Sequence, residues 1–136
     1  MGHDGAMFLA KSLSEMKILC KLNLSDDEIG DSGISEIVKQ AKNYCSLEFL
    51  DISGNNIGKS PASAELAETL NLFLSSTRNL EVLKMNWNSM RANVADKVIE
   101  GLVYCYGIRE VHFNNNLLGV SYDDKQPPVN RFAELL

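Results

Sequence analysis

Four stretches of this sequence align without a gap: LCKLNLSDDEI (19–29), LEFLDISGNNI (47–57), LEVLKMNWNSM (80–90) and IREVHFNNNLL (108–118). Each follows the pattern LxxLxLxxNxL, with Asp27, Asn55, Asn88 and Asn116 at the asparagine position, spaced by 28, 33 and 28 residues. The intervening segments repeat as well. Leu9, Ile37, Leu70, Val98 and Phe132 form one column, and Leu13, Ala41, Leu74, Leu102 and Leu136 form another four residues further on, with identical spacings. Apolar residues at i and i+4 share one face of a helix, whereas the LxL alternation puts leucines on one face of a strand. Strand and helix columns that hold a common register over the whole chain leave few folds open. No single unit can bury its own apolar face, so the units must stack.

At these residues the chain resembles leucine-rich repeat proteins, specifically the ribonuclease-inhibitor-like type with about 28 residues and a full helix per repeat. The resemblance covers nearly the whole sequence. Gly5-Ala6-x-x-Leu9-Ala10-x-x-Leu13 matches the helical half of a repeat without its strand. The departures are Asp27 in place of asparagine and two longer segments, after Gly58 and after Gly119. The resemblance implies an α/β fold: a right-handed solenoid, or horseshoe segment, with four parallel strands and about five helices on its convex side.

The residues give a physical account of the same architecture. Strands are predicted over 22–24, 50–52, 83–85 and 111–113, with their leucines pointing into the solenoid. The asparagine column turns inward, where each amide can bond backbone groups that the turning chain leaves unpaired. Asp27 can accept such bonds but cannot donate them. Ser60-Pro61 fits the N-cap and first position of the third helix, and Asn93 with Asp96 fits a capping pair for the fourth.

A chain of 136 residues that is 45% hydrophobic and 23% charged suits one globular domain, here residues 1–136 as a single repeat domain. It opens in a helix without a strand, and by the repeat spacing the next strand would begin near residue 142. No polar terminal cap is visible, so the expectation is a fragment of a longer array, or self-association that covers the uncapped ends. The net charge of −5 gives no general attraction to nucleic acid. No run approaches transmembrane length, and the first residues lack the basic start of a secretory signal. Three cysteines, Cys20, Cys45 and Cys105, cannot all pair and form no CxxC, which reads as reduced thiols in a cytoplasmic protein.

Several stretches invite a chemical reading and lose it on inspection. Gly58-Lys59-Ser60 follows a strand and a glycine turn, as a phosphate-binding loop does. That loop needs a glycine five residues before the second one, where this chain has Ser53. Asp26, Asp27, Glu28 and Asp31 lack the spacing of a calcium loop and read as a solvated turn. His112 lies beside Glu110 and Asn114 without a matched partner, and Cys45 and Cys105 fall at packing positions. No convergent catalytic set, metal site or cofactor site is expected.

The residues between the leucines face away from the core, and they form the informative surface. Across the four strands the columns are Lys21, Phe49, Val82, Glu110; then Asn23, Asp51, Lys84, His112; then Ser25, Ser53, Asn86, Asn114; and, at the turn, Asp26, Gly54, Trp87, Asn115. Trp87, the sole tryptophan, either stands exposed as an anchor or folds over the turn into the room left by Gly54. The predicted role is non-catalytic protein binding through this concave face and the adjoining loops. Trp87, Phe49, Val82, Lys84, Asp51 and His112 are the contact residues. Two rival roles are a GTPase-activating segment presenting Arg91 from a strand-end loop, and a structural spacer in a larger scaffold.

Overall fold

A computed structural model of the chain describes residues 1–60 and 63–117. The helix α1 (Gly2–Ser12) ends in a single 3-10 turn, Leu13–Glu15, and leads to β1 (Lys21–Asn23). Three strand–helix alternations follow: α2 (Gly30–Tyr44), β2 (Phe49–Asp51), α3 (Ala64–Ser76), β3 (Val82–Lys84), α4 (Ala92–Leu102) and β4 (Glu110–His112). The four strands pair in parallel, in chain order, with Lys21, Phe49, Val82 and Glu110 side by side. Each strand begins one residue earlier than predicted, and the columns stand as expected. The expected fifth helix containing Phe132 and Leu136 lies outside the described residues, as do Pro61 and residues 118 onward.

The core is the layer between the sheet and the helices. From β2 and β3 and the residues flanking them come Leu47, Leu50, Ile52, Leu80, Leu83 and Met85, all 0–1% exposed. The helices supply the two predicted columns: Ile37, Leu70 and Val98 at 0–1%, and Leu13, Ala41, Leu74 and Leu102 at no more than 7%. Consecutive helices pack on one another, α1 on α2, α2 on α3 and α3 on α4. Each fully buried Leu or Ile contributes about 1.5–3 kcal/mol relative to an exposed one, so this layer dominates the stability. Outer ion pairs join neighbouring helices, Lys39–Glu65 at 2.7 Å and Lys97–Glu68 at 3.2 Å, and Lys97 also pairs with Glu100 of its own helix at 3.4 Å. Being exposed, they contribute little.

Short strands leave long turns, and the asparagine column satisfies them. Asn55 is fully buried; its Oδ1 accepts the backbone N–H groups of Asp27 and Ile29, and its Nδ2 donates to the carbonyls of Leu24, Ile52 and Ser53. Asn88 accepts from the Asn55 N–H and donates to Ile52 and Met85. Asn116 accepts from the N–H groups of Asn88 and Met90. Each amide therefore closes the turn of the repeat before it. Only a group with both a donor and an acceptor can do this.

Both predicted helix starts are corrected. The third helix begins at Ala64 with Ser63 as its N-cap, three residues beyond Ser60. The cause is Asp31. One carboxylate oxygen accepts the Gly58 N–H at 2.9 Å and the other accepts the Ser63 hydroxyl, which fixes the loop before the helix can start. The fourth helix begins at Ala92, capped by Arg91, which leaves Asn93 inside it. Here the extended backbone persists longer, because Arg91 donates its N–H to Gly58 and bridges to Leu117.

Candidate functional site

On the open face of the sheet, the side chains from the four strands meet solvent to unequal degrees. Phe49 and Val82 are half-buried neighbours in adjacent strands. The Lys84 ammonium stands 5.5 Å from the Phe49 ring centroid, within cation–π range. His112, beside Lys84 in register, places Nε2 3.3 Å from Glu110 Oε2. Asp51 departs from expectation. It is 8% exposed, and its Oδ1 accepts the Ser53 N–H at 3.0 Å, so it shapes the turn instead of offering a charge to a partner. Asn23 does the same for Ser25, at 2.9 Å. Both make the side-chain turn that Asn and Asp favour.

Trp87 is 69% exposed at the edge of this face. The room at Gly54 is taken from the other side, since a Cβ there would collide with Asp26 Oδ1. The indole therefore does not fill it. Trp87 also has φ of 57°, in the left-handed region. Its column shares that conformation: Asp26 at 58°, Gly54 at 67° and Asn115 at 59°. The turn demands it at this place in every repeat. Asp, Gly and Asn tolerate the left-handed basin; a bulky aromatic there is an outlier. Glycine and asparagine in one column are the sequence signal of this requirement.

The remaining candidates are plainly placed. The inward set Asp27, Asn55, Asn88 and Asn116 is structural. Asp26 and Glu28 are exposed, whereas Asp31 is the loop clamp described above and not part of a solvated turn. Cys105 belongs to the core and Cys45 packs against it; burial pushes both thiols up, which disfavours the reactive thiolate. Arg91 is half-buried, with its Nε enclosed. Among the described residues, no group of three or more His, Cys, Asp or Glu side chains is arranged to hold a metal. No described helix is long and apolar enough to cross a membrane.

The repeated strand, inward asparagine and returning helix meet an independent comparison at β2. A family model described as Leucine Rich repeat matches residues 45–64, the stretch holding β2, Asn55 and the loop clamped by Asp31. These residues carry a leucine-rich repeat. The whole chain superposes on the tropomodulin C-terminal domain of Caenorhabditis elegans with a TM-score of 0.68 at 16% identity, over 82% of this chain and 65% of that one. Against leiomodin-1 Actin-Binding Site 2 the TM-score is 0.64 at 12% identity, over 83% of this chain and 62% of the other. The chain thus spans less than two thirds of either structure, and at such identity the likeness is one of fold. No curated protein sequence matches this chain significantly.

Proposed function

We propose that this leucine-rich repeat chain is a non-catalytic protein-binding module whose contact surface is the open sheet face and the turn ridge holding Trp87. The observation that carries the proposal is Trp87 itself: a bulky, exposed side chain kept in a strained backbone conformation. Strained residues that persist at the surface concentrate at functional positions, and tryptophan is enriched among residues that dominate binding energy. Phe49 under Lys84, with Val82 beside it, continues the surface inward, and Lys84 and His112 add charge that orients a partner. The solved structure titled as an actin-binding site of leiomodin-1 makes actin the first partner to test.

The ribonuclease-inhibitor-like type and a right-handed turn of the solenoid belong to the same proposal. They are supported by the 28-residue spacing, by helices of 11 to 15 residues, and by the handedness of nearly all parallel crossovers. A reducing, cytoplasmic setting accords with the free thiols of Cys20, Cys45 and Cys105.

The test is binding of labelled actin, as monomer and as filament, to wild type and to Trp87→Gly. The expected result is saturable binding lost in the variant while its melting temperature is kept. Equal capture by both proteins would remove Trp87 from the surface. Absence of binding to either actin form would remove actin as the partner.

A further inference from the structure

We propose that the cavity between the α2–β2 and α3–β3 loops is a binding site for a small phosphate monoester, held by Lys42 and Arg78. The cavity measures about 240 Å³. Lys42, in the last turn of α2, and Arg78, two residues past the end of α3, both line it, and no Asp or Glu does. Elsewhere on the helices Lys39 and Lys97 are tied to glutamates. Lys42 and Arg78 have no acidic partner among the described residues.

The repeat itself does not call for this pair. By the column spacing, Lys42 corresponds to Ser14 one repeat earlier and to Ser75 one repeat later, and Arg78 corresponds to Cys45 and Tyr106. Groups that build the fold recur at each junction, as the asparagines do; among the described residues these two cations meet at one junction alone. The cavity between α3 and α4 has Glu100 beside Ser75, Val103 and Tyr104, and no cation. Nor do the helix ends account for the pair. The C-terminus of a helix carries roughly half a negative charge, so two full positive charges leave the cavity positive. The last turns of α3 and α4 do without any basic residue.

Both loops are fixed before any ligand arrives. Leu47 and Leu80 anchor them in the core, and Cys45 and Thr77 donate their N–H groups back to the carbonyls of Ala41 and Phe73. The Arg78 carbonyl packs against Gly107, 3.0 Å from where a Cβ would stand. Two of the lining groups are already engaged: the Ser76 hydroxyl donates to the Leu72 carbonyl at 2.7 Å, and the Cys45 thiol to the Met16 carbonyl at 3.4 Å. The Ser46 and Thr77 hydroxyls and the Asn79 amide have no side-chain bond among the described residues, so they remain as donors. A phosphate monoester carries about −1.5 to −2 charges at neutral pH and three strong acceptor oxygens, which suits two cations and three neutral donors. The arginine fork can serve two of those oxygens at once. A phosphate group fills only part of the cavity, and the rest leaves room for a short carbon skeleton beside Phe73.

The probes are glycerol 3-phosphate and inorganic phosphate, titrated into the intact chain at constant ionic strength while backbone amides are followed by NMR. The expected result is saturable shifts at Ser46, Thr77, Arg78 and Asn79 in the millimolar range, with glycerol 3-phosphate the tighter ligand and with glycerol or chloride inert. Lys42 and Arg78 are exposed, so Lys42→Gln and Arg78→Gln should keep the fold. Each should weaken glycerol 3-phosphate binding roughly tenfold, the loss of one hydrogen-bonded charge. Shifts that fail to saturate, that chloride reproduces, or that centre on other residues would overturn the proposal. So would variants that bind as tightly as wild type, or a clear preference for inorganic phosphate. The wild-type titration decides the matter even where a variant is unstable. None of these residues belongs to the open face, so Trp87→Gly should bind the probe as wild type does, and either proposal can fail without the other.

Discussion

Replacing Trp87 by alanine and, separately, by glycine tests two properties of the residue at once. With Trp87 69% exposed, somewhat under a third of its surface is shielded. An aromatic side chain buries about 150–250 Å² when fully enclosed, so the shielded share is roughly 50–75 Å². At ~25 cal/mol per Å² the loss on truncation is about 1–2 kcal/mol at most. The backbone adds a second effect. At φ 57° the left-handed basin costs a residue with a Cβ about 1–2 kcal/mol, and alanine keeps that cost while glycine does not. Glycine gives back about 0.4–1 kcal/mol through the greater freedom of its unfolded chain. The expected order is therefore unusual: Trp87→Gly as stable as Trp87→Ala or more so, by up to ~1 kcal/mol, with both close to wild type. Urea denaturation gives the comparison directly. An alanine variant clearly more stable than the glycine variant would refute the strained turn. A loss above ~3 kcal/mol for alanine would show that the indole is a packing residue, and the binding surface would fall with it.

Other expectations follow from the same geometry. Asn55→Ala should lower stability by roughly 3 kcal/mol or more, because buried N–H and C=O groups on both sides lose their partner; a change below about 1 kcal/mol in urea melts would contradict the ladder. Asp31→Ala should cost about 1–2 kcal/mol and speed amide exchange at Gly58, with the sheet unaffected. Lys39 holds the Glu65 carboxyl below its usual range, so the contribution of the pair is present at neutral pH and is lost as pH falls through the lowered value. Lys39→Met should move the Glu65 titration upward in an NMR pH series. Cys105, buried and with its thiol pushed up, should react with iodoacetamide at neutral pH only as fast as the protein unfolds.

The repeat made the strand order, the register and the inward asparagines legible, because each depends on a column that local spacing enforces. Leu50, Leu83, Ile37 and Leu70 have no other face on which to lie. The exposure of Trp87 could not be read from its position alone. That depended on whether the space over Gly54 was filled, and the Asp26 carboxylate from the neighbouring repeat fills it. Asp51 seemed a free surface charge until the turn drew its carboxylate onto the Ser53 N–H. Both helix starts moved for the same kind of reason: Asp31 and Gly58 reach them from 27 or more residues away, beyond the range of any capping rule. Sequence periodicity determines which face a residue lies on, since that is set by the geometry of a single strand or helix. What a side chain on that face touches depends on the repeats that stack against it, and only the tertiary structure decides this.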